Sequence, residues 1–223
     1  MPADQLILDL PVKPALGRAD FFVSEANRAA VAHLERWREW PDGKLLIHGP
    51  AGAGKSHLAQ VFAAESGARV VEAEALEESA LPGLCEGPVA VENADRIAGH
   101  GVRETLLFHL HNMARAARKP LLLTARTPPA RWAFTLPDLE SRLRGALAVG
   151  IDPPDDALLA AMLVKLFADR QITVSPGLVS YLVARVERSF AALCEIVDAL
   201  DRAALAEHRA ITTHLAARVL DKH

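Results

Sequence analysis

Short apolar runs alternate with stretches whose apolar positions recur three and four apart over the first two thirds of the chain. Lys44–His48 (KLLIH), 68–72 (ARVVE), 88–92 (PVAVE), 120–124 (PLLLT) and 146–151 (ALAVGI) are short, apolar, and read as strands buried on both faces. Between them, 24–37, Lys55–Ser66 and 103–118 have helical spacing. In the last of these, Leu106, Leu107, Leu110, Met113, Ala114 and Ala117 share one face. Strands and amphipathic helices taking turns predict an α/β domain with a parallel sheet, flanking helices on both faces, and ligands at the carboxyl ends of the strands.

The pattern changes at Asp152-Pro153-Pro154-Asp155-Asp156, where two prolines fix an extended link and Pro154 is suited to begin a helix. Beyond it only helices are predicted, over 154–170, 175–186, 189–207 and 212–220, the last capped by Thr212. The expected organisation is a flexible tail over 1–20, an α/β domain over 21–151, and a small all-helical domain over 152–223. The tail holds three prolines and a glycine and reads as extended.

Composition narrows the function classes. The chain has 223 residues, 51% of them hydrophobic and 24% charged, which is ordinary globular usage. Lys and Arg number 25 against 28 Asp and Glu, a net charge of -3, so no general attraction to DNA is expected. No apolar run approaches the ~18 residues needed to span a bilayer, and no basic start precedes an apolar stretch. A cytoplasmic location follows as an expectation. Cys85 and Cys194 read as buried reduced thiols. His109 and His111 point in different directions on their helix and suggest no metal site.

The chemistry lies after the first strand. Gly49-Pro50-Ala51-Gly52-Ala53-Gly54-Lys55-Ser56 satisfies G-x-x-x-x-G-K-[ST] between a predicted strand and a predicted helix, and His57 follows it. Glycines let backbone N–H groups and the helix N-terminus surround phosphate oxygens, Lys55 is placed to neutralise β- and γ-phosphates, and Ser56 to reach Mg²⁺. ADP or ATP with Mg²⁺ is therefore the expected ligand. Glu92, the first polar residue after the run at 88–91, is the candidate acid that holds Mg²⁺ through water. Asn93 follows where a second acid would activate water, and an amide cannot accept a proton.

Several segments in register resemble the AAA+ ATPase core of the DnaA/Hda family. They are Phe21-Phe22-Val23-Ser24-Glu25-Ala26-Asn27-Arg28, the phosphate loop, the run ending in Glu92-Asn93, Leu121-Leu122-Leu123-Thr124-Ala125-Arg126-Thr127-Pro128-Pro129, Leu139-Glu140-Ser141-Arg142-Leu143 and Asp152-Pro153-Pro154-Asp155. The resemblance runs from about Phe21 to the C-terminus and implies an AAA+ core followed by a helical lid. No counterpart of the initiator's helix-turn-helix or helicase-contacting domain is expected. In the tail, Gln5-Leu6-Ile7-Leu8-Asp9-Leu10 resembles the Q-L-x-L-x-L peptide by which bacterial proteins bind the sliding clamp, with Gln5, Leu6, Leu8 and Leu10 as the contacts. A clamp peptide ahead of an initiator-like core is the arrangement of the family's regulatory branch, which inactivates DnaA.

The resemblance implies further roles residue by residue. Val23 and Asn27 match the segment bordering adenine, and Arg142 matches the arginine finger presented to a neighbour's γ-phosphate. Thr124 and Arg126 occupy the first sensor's position, where a short polar or acidic residue is usual in place of Arg126. Ala191 takes the place of the second sensor's arginine, with Arg188 three residues earlier. These departures imply nucleotide binding with weak or absent hydrolysis. The implied function is negative regulation of replication initiation at the nucleoid and replisome. Its partners are the DNA polymerase III β sliding clamp, DnaA, and DNA reached through the clamp; no membrane is involved and a homodimer stays open. A helicase-loader-like ATPase acting on single-stranded DNA is the alternative, for which only Arg115, Arg118 and Lys119 cluster.

Overall fold

The computed structural model describes residues 23–207 and 209–221. Its strands are β1 (Lys44–His48), β2 (Arg69–Glu72), β3 (Val89–Glu92), β4 (Leu121–Ala125) and β5 (Leu147–Gly150). All pair in parallel, in the order β2-β3-β4-β1-β5. Two expected strands lose their first residue for one reason. Pro88 and Pro120 offer carbonyls to Arg69 and Val89 N–H but carry no N–H of their own, so each stands just before its strand.

Side chains alternate across the sheet. Leu45, Ile47, Ala90 and Leu122 pack with Ala30, Val31 and Leu34 of α1 (Arg28–Glu35) and Leu58, Val61 and Phe62 of α2 (Lys55–Ser66). Leu46, Val89, Val91, Leu121 and Leu123 face the opposite layer. There they meet the short α3 (Leu81–Leu84), α4 (Gly101–Ala116) and α5 (Pro137–Arg144). Both faces are thus covered, as apolar parallel strands require.

Some helix limits differ from expectation. α1 starts after a tight turn in which Ser24 N–H donates to Asn27 Oδ1 and Ala26 N–H to Ser24 Oγ. α4 ends early because Arg118 adopts φ 54 and turns the chain out of the helix. The helical domain comprises α6 (Asp156–Asp169), α7 (Pro176–Val183), α8 (Phe190–Glu207) and α9 (Thr213–Leu220), around their own apolar core. Pro154 does not open α6. Asp155 caps it instead, its carboxylate accepting from Leu158 N–H at 2.7 Å. Among the described residues no helix is long and apolar enough to cross a membrane. No cluster of His, Cys, Asp and Glu there could hold a metal ion.

Glu104 is fully buried on α4 and ties three segments together. Its carboxylate accepts from Gly99 N–H, from the N–H and hydroxyl of Thr135, and from Leu136 N–H at 2.7–3.1 Å. Burial alone would raise its pKa, but the backbone donors outweigh it and hold the carboxyl below its usual range. Glu104→Gln puts an amide against these donors and is expected to cost about 2–4 kcal/mol in urea unfolding at pH 7. Because the folded pKa is depressed, the stabilisation is present above the unfolded carboxylate value, about pH 4.3, and is lost as pH falls below it. The wild type should therefore lose more stability than Glu104→Gln between pH 5 and 3; parallel pH profiles would contradict this.

Candidate nucleotide-binding site

β1 delivers the chain into the phosphate loop at its carboxyl end. Gly49 N–H donates to Ala125 O of β4, while Ile151 N–H donates to His48 O, so the loop is seated between β4 and the segment after β5. A Cβ on Gly49 would lie 2.3 Å from Ile151 O, which leaves room only for glycine. Gly52 and Gly54 take φ of 75 and 95, values that favour glycine. Lys55 is buried, and its ammonium donates to Gly49 O and Pro50 O, both at 2.7 Å. Burial lowers its pKa; Asp95 and Glu92 counter that effect, and Arg126 adds to it.

The loop opens into a cleft of about 400 Å³ lined by Asn27, Ala51, Gly52, Ala53, Gly54, Lys55, Ser56, His57, Gln60, Asn93 and Arg126 from the core, and by Leu158, Met162 and Phe190 from the lid. Loop and lid meet directly, since a Cβ at Gly52 would lie 2.2 Å from Ser189 Cβ. The lining combines the polar groups of Lys55, Ser56, Asn93 and Arg126 with the apolar side chains of Leu158, Met162 and Phe190. That combination suits the phosphates and base of a nucleotide.

The other candidates divide. Asn27 is buried, lines the cleft and holds Ser24 N–H, whereas Val23 is 47% exposed and outside the lining. Glu92 is buried at the end of β3 with Oε1 lacking a hydrogen-bond partner, an orphaned acceptor that fits a residue holding hydrated Mg²⁺ near Ser56. Asn93 adopts φ 55; its amide donates to Glu72 at 2.9 Å and its N–H to buried Thr124 Oγ1 at 3.2 Å. Arg126 lines the cleft with a positive charge at the first sensor's position. Ala191 is exposed and outside the lining. Arg188 does not share a helical face with it, because α8 begins at Phe190. Instead Arg188 binds Pro154 O at 3.1 Å and pairs with Asp156 at 2.5 Å, which fixes the link to the lid.

Sequence reasoning missed Asp95, Leu158, Met162 and Phe190. Asp95 accepts from Arg126 N–H at 3.1 Å while its other oxygen is buried and unpartnered. Its only sequence signal was an acid three places beyond Glu92. Leu158 and Met162 lie one helical turn apart, a spacing shared by every core stripe.

Residues 156–220 match the family model of the Hda lid domain. The structure is similar to domain III of the replication initiation protein DnaA from Thermotoga maritima, with 18% identity over 96% of this chain and 98% of that one, and a TM-score of 0.79. The chain therefore has the α/β fold of these AAA+ proteins, followed by a segment that matches the Hda lid. A DnaA bound to AMPPCP and single-stranded DNA is also similar to it, at 18% identity over 88% of this chain and 69% of that one, with a TM-score of 0.69. So is a RuvB variant from Thermotoga maritima, at 16% identity, 88% and 67% coverage and a TM-score of 0.69. Within this AAA+ frame the cleft lies between the core and the Hda-type lid, and both contribute to its lining.

ADP at ~100 times its dissociation constant is expected to stabilise the protein by ~2.7 kcal/mol, raising the melting temperature, and Lys55→Ala should abolish the rise. Gly52→Val, which needs a strained φ and displaces Ser189, should weaken ADP binding as well. Calorimetric titration reads both; an unchanged affinity in either variant would refute the assignment.

Proposed function

We propose that this protein binds ADP or ATP with Mg²⁺ in the core–lid cleft and acts on DnaA as a negative regulator of replication initiation. In this reading it is held on the DNA polymerase III β sliding clamp and supplies an arginine finger to ATP bound by DnaA. The carrying observation is the placement of Arg142. This residue lies in the last turn of α5, exposed, and makes no ion pair among the described residues, since Glu140 is taken by Arg144 at 2.7 Å. Its carbonyl is bound by Lys44 at the amino end of β1, whereas the phosphate loop leaves the carboxyl end. Five residues at ~3.3 Å rise put these ends about 13 Å apart, at opposite ends of the strand. In this reading the exposed side chain of Arg142 serves a neighbour's nucleotide rather than its own.

Asn93 leaves the chain without the second acid of a hydrolytic site, which supports weak or absent turnover of its own. The helicase-loader alternative has less support, because it needs an acid where the chain has Asn93. The clamp contacts Gln5, Leu6, Leu8 and Leu10 lie outside the described residues. Their assignment rests on the alternation of apolar residues in that segment.

The test uses ATP-loaded DnaA with clamp loaded on DNA. Arg142→Ala should reduce the stimulated formation of ADP by ~10³-fold or more, the scale of an arginine finger, while ADP binding persists. Equal rates for wild type and variant would overturn the proposal. Removing 1–11, or replacing Leu8 and Leu10 by Ala, should abolish co-elution with clamp and leave ADP binding unchanged. Undiminished co-elution would exclude the tail as anchor.

A further inference from the structure

Lys44 is an unusual residue for the first position of a central strand. It is 5% exposed, so its ammonium is withdrawn from water and must be compensated. Two acceptors do this: Arg142 O on α5 and His111 Nε2 on α4, each at 3.0 Å. His111 is itself 2% exposed, and its Nδ1 lies 3.3 Å from Asn112 Oδ1. An ammonium can only donate, so Nε2 must accept and the proton of the neutral ring sits on Nδ1, directed at Asn112. One lysine thus joins β1 and α4 to the carbonyl of the proposed finger residue.

The rest of α5 is held by the same means. Leu136 and Thr135 at its start are bound by buried Glu104, and Leu139 and Leu143 on its inner face are fully buried. The side chain of Arg142 remains exposed. Backbone fixed and side chain free is the arrangement that presents a guanidinium at one place, and a displacement near 1 Å from a reacting group can cost ~10²-fold in rate. Lys44 also adds positive charge at a helix C-terminus, where the backbone dipole favours it.

From these contacts we infer that Lys44 and His111 are positioning residues that hold Arg142 in register for its partner's nucleotide. The inference rests on the finger reading above. It carries a dependence on acid. The charged groups around the His111 ring are Lys44 from β1, Arg142 from α5 and Arg115 from α4, with Asp42 beside Lys44. Burial and then the Lys44 charge keep His111 neutral below its ordinary range. Once protonated, Nε2 becomes a donor facing an ammonium and the latch opens.

The experiment compares wild type, Lys44→Met, His111→Gln, Arg142→Ala and the double variant Lys44→Met/Arg142→Ala. It measures stimulated ATP hydrolysis by clamp-bound DnaA and amide exchange over residues 137–146. Lys44→Met should lower the maximal stimulated rate ~10- to 100-fold with the half-saturating concentration little changed. It should also speed exchange in 137–146 and leave ADP binding intact, and in the Arg142→Ala background it should cause no further loss. His111→Gln, whose side-chain oxygen accepts at any pH, should fold and keep stimulation at pH 7.5. It should also retain it as pH falls below the ordinary imidazole range, where the wild type declines. Unchanged exchange in Lys44→Met, faster exchange with undiminished stimulation, or identical pH profiles for wild type and His111→Gln would each overturn the positioning role while Arg142→Ala still abolishes activity. If Arg142→Ala itself retains full stimulation, the finger reading falls, and the role inferred for Lys44 falls with it. Should Lys44→Met fail to fold, the His111→Gln profile decides alone.

Discussion

Strand β1 must be bonded on both edges, and the rest of the molecule is arranged around that requirement. With β4 on one side and β5 on the other, all its backbone groups are committed to the sheet, and Leu45, Leu46 and Ile47 reach both apolar layers without exposure. Its two ends then serve opposite purposes. At the carboxyl end the chain must turn under Ile151 with no side chain on Gly49, which leaves consecutive N–H groups free for phosphate. At the amino end Lys44 is too buried to be solvated and organises α4 and α5 around its charge.

The cleft is lined from both sides of this frame. Gly52 of the phosphate loop lies against Ser189, just before α8, and Leu158, Met162 and Phe190 add apolar side chains to the lining. Arg188 fixes the link through Pro154 O and Asp156. A ligand seated in this cleft would touch core and lid together, and one that prefers a given lid placement would shift its population by the difference in affinity.

What could be read from the chain was what local chemistry specifies. The phosphate loop needs glycine at fixed offsets followed by Lys55 and Ser56, and no other residues serve. Strand positions were legible because apolar runs flanked by Pro, Gly and charge have few readings, though Pro88 and Pro120 fell outside their strands for lack of an N–H. Caps were partly legible. Thr212 caps as expected, whereas Ser175, read as the start of its helix, proves to cap it, and Asp155 rather than Pro154 defines the start of α6. The Lys44–His111 contact, the three segments converging at Glu104, and the meeting of Asp95 with Arg126 left no signal. Each joins residues far apart in sequence, and nothing local to Lys44 or Glu104 marks it as buried.

The distribution of polar groups separates two tasks that a self-sufficient ATPase combines. Around the cleft, several polar groups are bonded within the fold, Asn93 to Glu72 and Thr124, one oxygen of Asp95 to Arg126 N–H, and Arg188 to Asp156 and Pro154 O, while Glu92 Oε1 and the other oxygen of Asp95 are buried without a partner. Lys55 differs, because its partners are two loop carbonyls that an incoming phosphate can replace with a stronger charge-assisted contact. At the far end of β1 the arrangement differs: Lys44 binds the carbonyl of Arg142 and Glu104 binds the start of α5, while the side chain of Arg142 is exposed and makes no ion pair among the described residues, which is the placement the proposed action on a neighbour's nucleotide rests on.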